Sequence, residues 1–268
     1  AVSVTENAAL DLAGATISST ASFNSRDNAI TDSGTLTISG ATILNSGSAD
    51  LTLDEAASTF GALTLTGAAV SVTENAALDL AGVTISGDFA ATVSSGNLTD
   101  SGTVTVAGAA TFVTSANNAT TTLDSLAVTG AIGLTTNGTS GHVTLVNTTG
   151  IEFSASTVEG NLSATATGAI TDSGVLTVSG TSEFTNIAGT NAAITLDSAA
   201  NVFTGAVTFA TDSGSSVTIV DTTAFDLQTL SAASLTVTAG GAITDSGTLT
   251  ITGATTLNSG SADLTLDE

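Results

Sequence analysis

The sequence repeats itself with a period of about 70 residues, and an internal repeat limits the possible folds more than any other feature of a chain. The segment Ala1–Gly14 returns unchanged as Ala69–Gly82, and Ala29–Glu55 returns as Ala242–Glu268 with two changes. Two short motifs mark the same period independently. They are Thr-Asp-Ser-Gly, which begins at Thr31, Thr99, Thr171 and Thr244, and Thr-Leu-Asp, which begins at Thr52, Thr122, Thr195 and Thr265. Such units bury their apolar faces by stacking on one another, so we expect a solenoid.

Each unit is built from short triplets that alternate apolar and polar residues, such as Leu36-Thr-Ile38 and Leu51-Thr-Leu53. Successive side chains of a strand point to opposite faces, so one face of each triplet is predicted to be buried. The residues predicted to point into the core are Leu36, Ile38, Leu51, Leu53, Leu63, Leu65, Leu249 and Ile251. The residues predicted to point outward are Thr37, Thr52 and Thr64. No sustained helical period is present, so we expect no helices.

These patterns predict an all-β parallel β-helix (β-solenoid), in which residues 1–268 form a single repetitive body. Roughly three triplets per coil give about twelve coils of about 22–24 residues, with three coils in each super-repeat of about 70 residues. Coils stacked about 4.8 Å apart would form a rod on the order of 55 Å long. An array of small β-sandwich modules is the alternative, but such modules usually carry a core aromatic and turn prolines, and the chain has no Pro, Trp or Tyr. Because residues 1 and 268 both fall in mid-repeat, we expect a window of a longer repeat protein or filament.

The Thr31-Asp-Ser-Gly34 motif predicts a corner between strands, with Gly34 in the left-handed conformation. Its carboxylate recurs as Asp32, Asp100, Asp172 and Asp245. With three coils between equivalent residues, neighbours in this set would lie roughly 14 Å apart. That distance is too long for sharing one Ca²⁺ ion, which needs several oxygens at about 2.3–2.6 Å. A capped turn or a solvated corner is therefore the predicted role.

The formal net charge is −23, with 24 acidic residues and Arg26 as the only basic one apart from a single histidine. Phosphate binding needs clustered Lys and Arg, so nucleic acid is excluded as a partner, and insertion into a membrane is not expected. The carboxylates favour cations, Ca²⁺ in particular, and the best places for weak binding are Asp50, Asp54, Glu55, Asp263, Asp267 and Glu268. The chain has no cysteine, which excludes disulfides and thiolate metal sites.

Catalytic chemistry finds little support in the residues. His142 is the only histidine, and no spacing supports a Ser–His–Asp arrangement around it. It is expected to be a solvent-exposed coil residue. One arginine, Arg26, is too few for the basic sites of β-helical polysaccharide lyases. We therefore predict no catalytic and no cofactor-binding residues. The phenylalanines are expected in the core, with Phe89 on Phe112 and Phe203 on Phe225 stacked one coil apart.

The segments GTLTISGATILNSGSADLTL (34–53) and GALTLTGAAVSVTENAALDLAG (61–82) resemble the repeats of filamentous haemagglutinin-type proteins. Those are giant exported adhesins whose repeats form right-handed parallel β-helices. The resemblance implies a right-handed, secreted shaft at the cell surface that presents or spaces a binding tip. Its partners would be copies of itself, stacked end to end or side by side in a filament, and a host or neighbouring-cell surface.

Three alternative functions stay open at this point. An S-layer-like lattice protein would also be acidic and rich in Thr, Ser and Ala, and would assemble with Ca²⁺. A β-helical carbohydrate-active enzyme would need more than one Arg and one His. An ice-binding solenoid would need Thr-x-Thr pairs stacked on one flat face in every coil, whereas the outward residue here changes between Thr, Ser and Asp.

Overall fold

The computed structural model describes residues 1–187 and 189–267, which form a β-solenoid of about 13 turns. The chain alternates between two parallel sheets, so each turn contributes one level to each sheet. Within the described ranges there is no helix, and hence none that is long and apolar enough to cross a membrane. The predicted all-β parallel solenoid is therefore confirmed.

The first sheet contains β1 (Val2–Thr5), β3 (Ala21–Asn24), β5 (Thr42–Asn45), β8 (Leu63–Gly67), β10 (Leu78–Ile85), β12 (Leu98–Asp100), β13 (Val104–Val106), β15 (Thr121–Val128), β17 (Val143–Asn147), β20 (Leu162–Ala166), β23 (Ser182–Asn186), β26 (Val207–Ala210), β28 (Phe225–Leu227), β31 (Ile243–Asp245) and β34 (Leu264–Thr265). A two-stranded sheet of β29 (Leu230–Ala232) and β32 (Leu249–Ile251) follows β28 and β31 along the chain.

The second sheet contains β2 (Leu10–Ile17), β4 (Ile30–Ile38), β6 (Leu51–Leu53), β7 (Thr59–Phe60), β9 (Val70–Glu74), β11 (Phe89–Val93), β14 (Ala110–Asn117), β16 (Ile132–Asn137), β18 (Ile151–Phe153), β19 (Ser156–Val158), β21 (Ile170–Asp172), β22 (Leu176–Val178), β24 (Ile194–Leu196), β25 (Val202–Phe203), β27 (Ser216–Asp221), β30 (Ser234–Ala239) and β33 (Thr255–Asn258). Every pairing in both sheets joins one level to the next in parallel.

A turn of the solenoid generally uses fewer residues than the expected count of about 22–24, and the number varies from turn to turn. Asn161 lies one coil above His142 and 19 residues after it, whereas Asn201 lies one coil above Leu176 and 25 residues after it. Intermediate lengths are more common, as in the step from Asp88 to Ala109, which is 21 residues long. The solenoid therefore has about one turn more than the twelve that were expected, and it is about 60 Å long at a strand spacing of about 4.8 Å.

Each turn consists of two half-turns, one along each sheet, and the half-turns are of two kinds. A straight segment is a single strand, such as β3 or β11, that crosses its sheet without interruption. A bent segment has two short strand portions with a corner between them, as in β12 and β13, or a register shift within one long strand, as in β4 and β10. A repeat begins at β1, β9, β17 and β27, and each complete repeat has four straight segments in one sheet and three bent segments in the other. β14 is counted as straight, although the register shifts near its C-terminal end, between Val113 and Asn117.

Seven half-turns make three and a half coils, so each repeat is turned by half a rotation relative to the one before it. Thr31 lies on β4 in the second sheet, and its equivalent Thr99 lies on β12 in the first sheet. Thr171 is again in the second sheet, and Thr244 in the first. The expectation of three coils per super-repeat does not hold, because a period of about 70 residues contains three and a half of these shorter coils. Equivalent carboxylates of consecutive repeats accordingly lie on opposite sides of the solenoid and not in one row.

The predicted alternation of side chains is confirmed. Leu36, Ile38, Leu51, Leu53, Leu63 and Leu65 are each at most 1% exposed, while Thr37, Thr52 and Thr64 point outward and are partly exposed. Leu249 and Ile251 point inward and pack on the same core, but they are only half buried because they lie near the end of the stack.

The two predicted phenylalanine pairs have different outcomes. Phe89 and Phe112 are in contact one coil apart, as predicted, with ring centroids 5.9 Å apart, but the rings meet edge to face at 80° and are not stacked. The stack of Phe203 on Phe225 is wrong, because these residues lie on opposite sheets, and Phe203 contacts Phe184. A separation of about one coil in the sequence does not by itself place two residues in the same sheet.

The Thr-Asp-Ser-Gly motif forms a corner as predicted, but its glycine is there for a different reason. None of Gly34, Gly102, Gly174 and Gly247 has a positive φ. Instead, a Cβ on Gly102 would lie 2.0 Å from the carbonyl oxygen of Ala81 in the coil below, and a Cβ on Gly174 would lie 2.2 Å from the nitrogen of Ala155. The close approach of two backbones at the corner therefore requires the glycine.

Candidate functional site

The two motif aspartates of each repeat are joined by a hydrogen bond between neighbouring coils, from the backbone of one to the carboxylate of the other. The backbone N–H of the Asp in Thr-Leu-Asp donates to Oδ1 of the Asp in Thr-Asp-Ser-Gly, 22 to 25 residues earlier. The four pairs are Asp54 with Asp32 at 2.9 Å, Asp124 with Asp100 at 2.9 Å, Asp197 with Asp172 at 2.9 Å, and Asp267 with Asp245 at 2.8 Å. The acceptor carboxylate is thus a cap for the corner of the next coil, as the sequence predicted for this set.

The capping carboxylate sits at a core position of the bent segment. Asp32 pairs with Leu12 in the coil below, and it is 7% exposed. Burial raises the pKa of the Asp32 carboxyl, as do the charges of Asp54 and Glu55, although backbone N–H groups of those two residues oppose the shift. Burial likewise raises the pKa of Asp100, against the N–H groups of Asp124 and Ser125. These carboxylates are held by geometry in a place that disfavours their charge.

A second set of inward polar residues ends the straight segments at which new repeats begin. The set consists of Glu74 on β9, Asn147 on β17 and Asp221 on β27, and each is at most 1% exposed. Each accepts a backbone N–H from the end of the preceding bent segment: Phe60 to Glu74 at 2.9 Å, Val128 to Asn147 at 3.0 Å, and Phe203 to Asp221 at 3.3 Å. The sequence analysis missed these residues, although the alternation in Val70-Ser-Val-Thr-Glu74 places Glu74 on the inward face.

Burial dominates the electrostatics of this second set. It raises the pKa of Glu74 to about 7, from an ordinary value of 4.5, despite the N–H groups of Phe60, Ala76 and Asn75. It also raises the pKa of Asp221, despite N–H donors on Thr223 and Phe203. Asn147 performs the same task without a charge, since its Nδ2 donates back to the carbonyl of Val128 at 2.9 Å. The position requires hydrogen bonding and not a negative charge.

The lone histidine also caps a neighbouring coil. His142 is partly buried at the corner before β17, and its Nδ1 accepts the N–H of Asn161 at 2.9 Å. In nearby coils, Asn97 and Asn161 make the same contact through Oδ1, with the N–H groups of Thr120 and Thr181. His142 is therefore one member of a column of corner caps, and the expectation of a merely exposed coil residue is corrected.

The described carboxylates among those proposed for Ca²⁺ are not gathered into a site. Among the described residues, no group of three or more His, Asp or Glu side chains could hold one metal ion. Asp50 instead accepts the N–H of Ala69 at 3.1 Å, and Asp54 donates its own N–H to Asp32. Asp263 and Asp267 lie in the exposed last coil, and Glu268 lies outside the described residues.

Surface charge is divided between the two kinds of segment. Outward positions of the straight segments carry mainly Ser, Thr, Ala, Val, Asn and Ile, and within the described chain Glu183 on β23 is the one outward carboxylate among them. The bent segments and corners carry the other exposed carboxylates, such as Asp124, Glu152 and Asp197. Each repeat therefore shows an acidic face on one sheet and, on the other, a face that is uncharged except for Glu183 in the third repeat.

The chain belongs to the family described as Repeats of unknown function (DUF5649), whose model matches residues 1–66, 67–135, 140–210 and 214–268. These boundaries fall at or next to the points where β9, β17 and β27 begin, so the family's unit is the repeat of seven half-turns. No curated protein and no solved structure matches the chain.

Proposed function

We propose that this chain forms part of the structural shaft of an extracellular bacterial filament or adhesin, which presents or spaces a binding tip and carries out no catalysis. The proposal rests on the hydrogen-bond partners of the inward polar side chains. Asp32, Asp172, Glu74 and Asn147 all bond to backbone groups of a neighbouring coil. Groups of this kind stabilise the stack against bending or fraying, and they do not converge on a space that a substrate could enter.

Composition and fold together support a location outside the cell. The chain has no cysteine, so it needs neither disulfides nor a reducing compartment. It also has a single Arg as its only Lys or Arg residue, which is unusual for a cytosolic protein. Stability comes from coil-on-coil contacts repeated along one axis, which suits a long exported fibre. Its partners would be copies of itself, stacked end to end or side by side, together with a host or neighbouring-cell surface.

Electron microscopy of the purified 268-residue chain, with and without Ca²⁺, tests the proposal together with antibody labelling of intact cells. Unbranched rods that form in both conditions, and labelling at the cell surface, are the expected results. A two-dimensional lattice that needs Ca²⁺ would replace the shaft by an S-layer-like protein. Labelling confined to the cell interior would contradict the proposal altogether.

A further inference from the structure

We propose that the solenoid packs side by side with a second copy of itself, with the nearly uncharged straight faces of one copy against the acidic bent faces of the other. This contact rests on the shaft proposed above and names its lateral partner. The half-turn between repeats sets the pattern of faces. On the first sheet, straight segments occupy the repeats that begin at β1 and β17, and bent segments occupy those that begin at β9 and β27; the second sheet has the reverse order.

Charge decides which contacts two copies can make. With a net charge of −23, two bent faces brought together would set carboxylate against carboxylate at close range. Suppose that the same sheet of two parallel copies met in register. Straight faces would then oppose straight faces, but in the next repeat bent faces would oppose bent faces. When the first sheet of one copy meets the second sheet of the other at the same height, each bent face lies against a straight face. No acidic face then opposes another.

The straight face is also chemically suited to the bent face. Its outward residues include Thr92, Ser163, Thr165 and Thr238, whose hydroxyl groups donate hydrogen bonds. The bent face offers exposed carboxylates such as Asp124 and Asp197, which only accept when ionised. Hydroxyl-to-carboxylate bonds are charge-assisted and stronger than neutral ones. Two copies related by a simple sideways translation therefore present donors to acceptors along the whole rod.

The size of the contact sets the number of repeats that is needed. A straight strand of about five residues is about 16 Å wide, and a side about 60 Å long offers about 1,000 Å² per copy. Standard interfaces bury about 800 Å² per partner, so one repeat alone falls well short and about four repeats reach this range. Because the contact is polar, we expect weak association that strengthens with each added repeat.

The test uses matched sets of charge variants of the whole 268-residue chain. The straight-face set carries Thr64→Asp, Thr92→Asp, Thr165→Asp and Thr238→Asp, or Lys at the same four positions. The control set carries Asp, or Lys, at Thr37, Thr122, Thr177 and Thr250, which point outward from bent segments. Sedimentation velocity measures association, and the cross-sectional radius from small-angle X-ray scattering separates lateral from end-to-end contacts.

The straight-face Asp set should weaken lateral association by about tenfold or more, because new carboxylates meet acidic faces. The straight-face Lys set should strengthen it, because its new ammonium groups meet carboxylates. The new charges of the control sets lie on bent faces and meet nearly uncharged straight faces, so each control set should change association less than the straight-face set of the same charge. Raising the salt from about 0.01 M to about 1 M shortens the screening length from about 30 Å to about 3 Å and should promote association of the unmodified chain.

Two results would overturn the lateral contact. One is loss of association with both Asp and Lys on the straight faces, which would show that like faces meet. The other is a cross-section that stays that of a single solenoid at every salt concentration and protein concentration. Single, unbranched rods in the microscope would in that case leave the shaft intact, so the two proposals fail separately.

Discussion

Oδ1 of Asp172 accepts the backbone N–H of Asp197, 25 residues further along the chain and one coil higher, at 2.9 Å. The same carboxylate also accepts the N–H of Ser198 at 3.3 Å and the amide of Asn201. Asp172 belongs to the Thr-Asp-Ser-Gly motif and is the cap, whereas Asp197 belongs to the Thr-Leu-Asp motif and is the residue that is capped. Two motifs of identical chemistry therefore have unequal importance for stability.

Replacing Asp172 with alanine should lower the free energy of unfolding by about 1–3 kcal/mol, because the N–H groups of Asp197 and Ser198 and the amide of Asn201 lose a charged acceptor. Asp197→Ala removes the same charge from an exposed side chain and should change it by no more than about 0.5 kcal/mol. Chemical denaturation measures both, and hydrogen exchange at the Asp197 and Ser198 amides locates the damage. Equal effects of the two variants would contradict the assigned roles.

Glu74 predicts that the solenoid is less stable at alkaline than at mildly acidic pH. Its pKa rises from 4.5 in the unfolded chain to about 7 in the folded one, so the folded state binds the proton more tightly. The stabilisation is complete below about pH 4.5 and is lost as the pH rises through 7, to a total of about 3 kcal/mol at most. Glu74→Gln should reduce the slope of thermal stability between pH 4.5 and 7 and stabilise the chain at higher pH. The exposed Glu152→Gln is the control of equal charge, and an identical gain from it would point to general charge repulsion instead.

Asn147 and Asp221 occupy equivalent places, so exchanging their side chains should have opposite effects. Asn147→Asp removes the donor to Val128 and introduces a buried charge, and should destabilise the chain by about 1–3 kcal/mol at neutral pH. Asp221→Asn should be neutral or stabilising there, because the position then resembles that of Asn147. Melting curves at neutral and mildly acidic pH decide the matter. Destabilisation by both changes would mean that each site is adapted to its own residue.

Core and surface positions of one triplet should respond very differently to the same charge. Leu53 is fully buried, so Leu53→Asp should cost several kcal/mol and unfold its coil and the neighbouring coils. Thr52→Asp adds the same charge at a half-exposed, outward position and should be nearly silent. Circular dichroism during thermal unfolding compares the two, and similar losses would argue against the inward register.

Two glycines of the second repeat test whether the motif corner needs glycine because the backbones of neighbouring coils approach closely there. Gly102→Ala would place Cβ 2.0 Å from the Ala81 carbonyl oxygen, so the stacked corners must move apart and stability should fall by more than about 1 kcal/mol. Gly82→Ala meets nothing closer than Thr64 Cγ2 at 3.8 Å and should be neutral or slightly stabilising. The difference in melting temperature between the two variants is the measurement, and the reverse order would disprove close coil contact at the motif.

The alternation of Leu36, Thr37 and Ile38 was sufficient to predict the strands, their buried face and the stacking of coils. It could not give the number of residues per turn, because a strand pattern records inside and outside but not which of two sheets a strand joins. The number of residues per turn depends on the connections between strands. At the start of the second repeat, β8 is followed by β9 with only Ala68 and Ala69 between the two straight strands. A short connection there adds a half-turn at little cost in residues.

The capping pairs could have been found from the sequence in part. Asp32 and Asp54 are 22 residues apart, which agrees with the expected coil of about 22–24 residues, but each motif was compared only with its own equivalents in the other repeats. To predict the role of Glu74, one must know that Phe60 ends the preceding bent segment at the same corner. Local periodicity does not give the position of one coil relative to another.

The half-turn between repeats also governs how such a protein can change in length. Near-identical segments such as Ala1–Gly14 and Ala69–Gly82 favour unequal recombination, which adds or removes whole repeats. One extra repeat would rotate everything beyond it by half a revolution about the long axis, so a distal domain would face the opposite direction. Two extra repeats would lengthen the rod and restore its original aspect. Parity of repeat number, and not length alone, then sets the direction in which the far end points.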